Sequence, residues 1–160
     1  MVRFEKLTDY GLVLLACIAR TPDAGLRTAR DLAAESGLPQ PTVSRLLQDL
    51  LKGGLLVSQR GIHGGYQLAR TPREISIASV IVALEGPIHL TACSADEEGA
   101  CDFEAHCAIR SNQRVINSAV RGVLEKLSLA DLMRPLQLMT IQDAGGKFIS
   151  TIGPALGSIQ

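Results

Sequence analysis

The stretch Leu38-Pro-Gln-Pro-Thr-Val-Ser-Arg-Leu-Leu-Gln-Asp-Leu-Leu-Lys52 decides the fold. Proline suits the first turn of a helix, where its missing N–H costs nothing, so Pro39 and Pro41 mark a start. Val43, Leu46, Leu47, Leu50 and Leu51 recur at helical spacing and predict a buried stripe. Gly53-Gly54 stops the run. The opposite face carries Thr42, Ser44, Arg45, Gln48 and Lys52, short or polar side chains able to meet phosphates and base edges.

Upstream, Leu7, Tyr10, Leu14, Cys17 and Ile18 predict a first helix over residues 7–20. Thr28 followed by Asp31 resembles a capping box with Asp in place of Glu. A short helix through Ser36 follows, with Gly37 in the left-handed position that ends it. Two short helices joined by a tight glycine-containing turn form a helix-turn-helix. Downstream, Leu55–Gln59 reads as a strand, Arg60-Gly-Ile-His-Gly-Gly65 as a turn needing positive φ, and Tyr66–Arg70 as the returning strand. A hairpin directly after a helix-turn-helix is a wing, and its tip carries Arg60 and His63. The expected fold is therefore mainly α: a winged helix-turn-helix with a two-stranded wing, plus a long dimerisation helix.

That long helix is predicted over residues 108–127, after a fourth helix over 76–85 with Ile77, Val80, Ile81 and Leu84 facing inward. Its stripe runs through Val115 or Ile116, Ala119 or Val120, Val123 or Leu124, and Leu127. A helix of that length needs its stripe covered, and a second copy in a two-fold homodimer is the simplest cover. Ser128 and Asp131 predict the cap of one more turn through Met133. Residues 135–160, with Pro135, Pro154 and several glycines, read as a disordered tail. The expected organisation is a DNA-binding domain over 1–87, a cysteine loop over 88–107, the dimerisation helix over 108–134 and the tail over 135–160.

Apolar residues make up 46% of the 160 and aromatics only 3%, which favours aliphatic helix packing over a β-sandwich. The net charge is zero but unevenly spread. Residues 1–75 hold ten Lys and Arg against seven acids, while residues 85–107 hold six acids and no Lys or Arg. The longest apolar run, Leu12 to Ala19, is too short to span a bilayer, and no secretory signal opens the chain. The expected compartment is the cytoplasm, where disulfides rarely persist and clustered cysteines point to metal or redox chemistry.

Cys93, Cys101 and Cys107 form such a cluster, three of the chain's four cysteines within fifteen residues. Soft thiolates suit iron–sulfur clusters or zinc. Structural zinc favours short Cys-x2-4-Cys hooks, whereas the gaps here are seven and five residues, so the loop is expected to wrap an iron–sulfur cluster, 2Fe–2S or 4Fe–4S. Zinc, and a metal-free thiol switch or inert cysteines, remain the other readings. Cys17 sits on the apolar face of the first helix and reads as a buried small hydrophobe.

With these parts in place, the sequence resembles the Rrf2 family of winged-helix iron–sulfur transcription regulators. The residues that carry the resemblance are Leu7-Thr-Asp-Tyr-Gly11, Leu38–Leu47, Val57–Arg70, the three-cysteine loop and Ile116-Asn117. Ala83–Ile88, Cys93-Ser94 and Ser128–Leu132 look most like the branch regulating the SUF iron–sulfur assembly system. The resemblance implies a homodimer, a cluster as sensor, and control of cluster-assembly genes, with repression by the cluster-bound form. Asp9 stands where the nitric-oxide-sensing branch has an aspartate from the other subunit as fourth ligand, its other reading being a charge that complements the helix N-terminus; Arg110 stands where one branch has a ligating histidine and cannot serve. His106 is a less favoured ligand, and His89 reads as a linker residue. The expected DNA contacts are Thr42, Ser44, Arg45 and Gln48 in the major groove of a double-stranded operator, and Arg60 with His63 from the wing. No catalytic triad, phosphate loop or paired acid/base cleft stands out, so an enzyme with a small-molecule substrate is not expected. The rival reading is an iron–sulfur electron-transfer or carrier protein, which would have no use for a wing.

Overall fold

The computed structural model describes residues 6–21, 25–91, 106–142 and 148–154. Three helices open it: α1 (Lys6–Arg20), α2 (Ala29–Ser36) and α3 (Gln40–Lys52). Leu14, Leu15 and Ile18 of α1 meet Leu32 of α2 and Val43, Leu46, Leu47 and Leu50 of α3 in one aliphatic core. Fully burying each such side chain contributes roughly 1.5–3 kcal/mol before the ordering entropy is charged. Leu51 lies at the rim, half-buried rather than enclosed. Thr28 caps α2, its hydroxyl oxygen accepting from the Asp31 amide at 3.2 Å, and Gly37 ends it at φ 69°.

The wing is β1 (Leu56–Gln59) paired antiparallel with β2 (Gly65–Leu68). It is not free-standing. Arg27, in the connection before α2, exchanges two backbone hydrogen bonds with Tyr66, 2.9 Å from the Arg27 amide and 2.8 Å to the Arg27 carbonyl. This bridge ties the second wing strand to the body of the domain.

Helix α4 (Ile77–Glu85) buries Ile77, Ala78, Val80 and Ile81, with Leu84 half-buried against Gly11 of α1. Ser76 caps it. The long helix is α5 (Arg110–Lys126), followed by a one-turn α6 (Leu129–Leu132). The expected dimerisation segment over 108–134 therefore divides. Its last turn belongs to the DNA-binding domain, because Leu129 is completely buried in that core. The backbone fastens it there: Ile77 donates to Leu127 and Leu129 to Ile75, both at 2.8 Å, and Ala130 to Pro72 at 3.1 Å. Ser128 and Asp131 form the expected capping box.

The second difference concerns the end of the chain. Residues 135–160 were expected to be disordered, yet β3 (Leu136–Gln142) pairs antiparallel with β4 (Phe148–Pro154), with Leu138 opposite Ile152 and Thr140 opposite Ser150. The glycines misled because Gly145 and Gly146 lie between the two strands. The strands themselves hold Thr140, Ile141, Ile149, Thr151 and Ile152, β-branched residues that favour extended backbone.

Candidate nucleic-acid interface and cysteine segment

Burial of Val43, Leu46, Leu47 and Leu50 turns the other face of α3 outward. Arg45 and Gln48 are exposed, and Thr42 and Ser44 are half-buried near the start of the helix. The Arg45 side chain is 70% exposed and pairs loosely with Asp49, Nε to Oδ2 at 3.8 Å, while Lys52 reaches the other oxygen of Asp49 at 3.6 Å. Exposed pairs of this kind are worth little, so Arg45 can exchange Asp49 for a phosphate or base edge at small cost. The N-terminal end of α3 also presents backbone N–H groups that suit a phosphate.

The wing supplies a second contact surface. Arg60, Ile62 and His63 are all exposed at its tip. The turn is closed by the Gly64 amide donating to Gly61 at 2.9 Å, with Gly61 at φ 124°, a conformation that other residues resist. A Cβ on Gly65 would stand 2.7 Å from the Arg27 carbonyl oxygen, so the close bridge to the body requires glycine there. No Asp or Glu occurs between Gly53 and Arg73, whereas Arg60, Arg70 and Arg73 do. The α3 face and the wing thus form a pair of projections without competing negative charge at the wing, as docking on a duplex requires.

Of the three clustered cysteines, Cys107 lies within the described residues; Cys93 and Cys101 lie outside them. Cys107 is a free, half-buried thiol, and its carbonyl accepts from the Arg110 amide that opens α5. The segment's other end is also held. The Leu90 amide donates to Oδ1 of Asn117, 3.0 Å away in the middle of α5, and Asn117 is buried. Nothing in the residue reading assigned Asn117 that part; the available signal was a polar residue beside the apolar stripe.

Asp9 is exposed in the first turn of α1, and His106 is exposed beside Cys107. Among the described residues, no three His, Cys, Asp or Glu side chains gather as a metal-binding group within the single chain. Cys17 is buried as expected; burial and the neighbouring Glu35 carboxylate push its thiol pKa up, which disfavours the reactive thiolate. Glu35 in turn pairs with Arg27. A cleft of about 620 Å³ between the end of α1 and β2 includes Ile18, Leu68, Arg70, Pro72 and Glu74. Its Glu74 is taken up by the Thr71 amide and hydroxyl at 3.0 and 2.7 Å, and none of the expected site residues lines it.

Helix α5 is poorly covered along one side. Ile109 just before it and Val115, Ile116, Val120 and Val123 within it are exposed, Val115 at 68%. Ile109, Ile116, Val120 and Val123 follow heptad-like steps along one side, the pattern of a helix that packs against another helix.

This geometry defines a winged-helix DNA-binding protein. The model of the Rrf2 family, described as an iron-dependent transcriptional regulator, matches residues 4–135, and the chain belongs to that family. It is a transcription regulator and not an enzyme. An rrf2-like regulator of Rhodobacter capsulatus is 32% identical over 132 residues, covering 80% of this chain and 88% of its own. Among solved structures, CymR, the global cysteine regulator of B. subtilis, superposes with a TM-score of 0.65 at 28% identity, covering 83% of this chain and 97% of its own. IscR of T. potens does so with a TM-score of 0.62 at 27% identity, covering 82% and 86%. Among the described residues no helix is long and apolar enough to cross a membrane.

Proposed function

We propose that this chain is a homodimeric DNA-binding regulator whose operator affinity is set by an iron–sulfur cluster on Cys93, Cys101 and Cys107, and that it represses iron–sulfur cluster assembly genes of the SUF type. The DNA-binding part rests on the outward face of α3, with Arg45 and Gln48 exposed and Thr42 and Ser44 half-buried, standing with an acid-free wing. The sensing part rests on one observation above all: the cysteine segment is tied at both ends to α5, by Leu90 to Asn117 and by Cys107 at the helix start.

The residues fit the cofactor. Three thiols are soft donors, and Cys107 is free and half-buried just before α5. Asp9 from the partner subunit is the candidate fourth ligand. A cluster held there would supply a centre that responds to oxygen, nitric oxide or cluster supply. The chain's own residues convert its presence into geometry. Cys107 and Leu90 attach to α5 at Arg110 and Asn117, seven residues of helix apart, about 10 Å. The C-terminal end of α5 is fastened to the DNA-binding core through Ser76 and Ser128. A cluster held by the segment would therefore bias the angle between the dimer helix and the recognition helix, and so the spacing of two recognition helices.

The test is to titrate cluster-bound and cluster-free protein against one operator at fixed salt, because salt alone moves such affinities strongly. A coupling of ~1–3 kcal/mol would separate the two by roughly 5- to 150-fold. Equal affinities would make the cysteine site structural and remove the sensor reading.

A further inference from the structure

One exposed apolar side chain has no role in the reading above. Ile62, at the wing tip, is 98% exposed, more than any other large hydrophobic residue among those described. The next, Val115, lies on α5 beside the stripe that a second copy would cover. Ile62 belongs to no such stripe. It stands alone on a turn held rigid by the Gly64–Gly61 hydrogen bond and anchored to the body through Tyr66 and Arg27, so its projection is built in. Arg60 and His63 share the turn with it, and it lies within the acid-free run from Gly53 to Arg73.

An apolar tip in a positively charged collar fits a surface that is polyanionic at its edges and apolar within. The minor groove of DNA is such a surface, with phosphates along the rims and sugar walls inside. Its floor differs between base pairs in one respect: a G·C pair carries the guanine N2 amino group, which A·T lacks. An isoleucine offers that amino group no acceptor, and its branched end competes for the same space. Desolvating the amino group without a partner is costly.

We propose that Ile62 enters the minor groove beneath the wing and selects base pairs without an N2 amino group, making it a specificity-determining residue. This rests on the DNA-binding reading above. Arg60 is assigned the neighbouring phosphates or groove rim, with affinity but not this discrimination.

The experiment uses the full-length dimer and an operator recovered by selection from a random duplex library. The base pairs under the wing are varied among A·T, G·C, inosine·C and diaminopurine·T. Inosine·C has the major-groove face of G·C without the amino group, and diaminopurine·T adds that group to an A·T pair. Binding by fluorescence anisotropy at one salt concentration should group A·T with inosine·C. G·C and diaminopurine·T should be weaker by about tenfold, the lower part of the range for one mismatched pair. Ile62→Ala, at an exposed position, should erase the inosine·C to G·C ratio, while Arg60→Ala should weaken all four duplexes and preserve it. A wild-type ratio near one, or a ratio unchanged in Ile62→Ala, overturns the inference. Failure to recover or bind any duplex overturns the DNA-binding reading along with it.

Discussion

The Leu90 amide donates to the Oδ1 of Asn117 at 3.0 Å, across 27 residues of sequence. That bond joins the end of the DNA-binding domain to the middle of the long helix, at the point where the acidic cysteine segment begins. A buried asparagine beside an apolar stripe is tolerated because its oxygen has this partner. Replacing it with alanine strands the Leu90 amide, which should cost ~1–3 kcal/mol in chemical denaturation. If the sensor reading holds, Asn117→Ala should also narrow the affinity gap between cluster-bound and cluster-free protein. An unaltered gap would place the coupling elsewhere.

The four cysteines should divide sharply. Anaerobically purified protein should be brown, and Cys93→Ala, Cys101→Ala or Cys107→Ala should remove the colour, as read by absorption spectroscopy. Cys17→Ala should keep it. In the folded protein Cys17 should also resist alkylation, because burial and Glu35 hold its thiol protonated. Mass spectrometry after a short iodoacetamide pulse, with and without denaturant, reads this directly.

The exposed side of α5 should carry self-association. Val120→Glu or Val123→Glu places a charge on it, and burying an unpaired carboxylate in a helix–helix seam is strongly unfavourable. Light scattering at micromolar concentration should show dimer for the wild type and monomer for the variants. The charged residues replace exposed ones in the single chain, so circular dichroism should remain that of a folded domain.

The wing's attachment should be brittle at Gly65. A Cβ there would press on the backbone of Arg27, with the carbonyl carbon 2.8 Å and the amide nitrogen 3.0 Å away. Neither is a flexible side-chain end, so the bridge must open. Gly65→Ala should weaken operator binding by about tenfold or more through the displaced wing, while the α3 core remains intact. The Tyr66 amide, which donates to the Arg27 carbonyl, should exchange slowly in the wild type and fast in the variant if the bridge is lost.

Acid should loosen two helix starts together. The Asp31 carboxyl is held below its usual range chiefly by the Thr28 hydroxyl, and Asp131 chiefly by the Ser128 hydroxyl. A carboxyl whose pKa is lower folded than unfolded contributes stability above the unfolded value and loses it as pH falls through the folded value. Stability should therefore decline below the ordinary carboxylate range, and Asp131→Asn should flatten that limb of a plot of melting temperature against pH.

Much of this protein was legible in the residues alone, for a local reason. A helix stripe, a cap, a glycine-closed turn and an alternating strand are set by neighbours within about one turn or one hairpin. Hence Val43 to Leu50, Thr28 with Asp31, Gly37, the wing and the Ser128 cap could all be read from spacing. The cysteine cluster was equally plain, because three thiols in fifteen residues are conspicuous whatever the fold. Composition misjudged the end of the chain, where glycine content outweighed the β-branched pattern of β3 and β4.

What tertiary structure decided lies between residues far apart in sequence. No local pattern says that Leu129 returns to the core of the DNA-binding domain, that Arg27 pairs with Tyr66, or that Asn117 receives the Leu90 amide. Each depends on where whole helices and strands come to rest, and so on the packing of the common core. The same packing decides exposure. It leaves Ile62 alone in solvent while enclosing leucines of similar apolarity, a distinction that amino-acid type cannot make because burial is a property of the assembled surface.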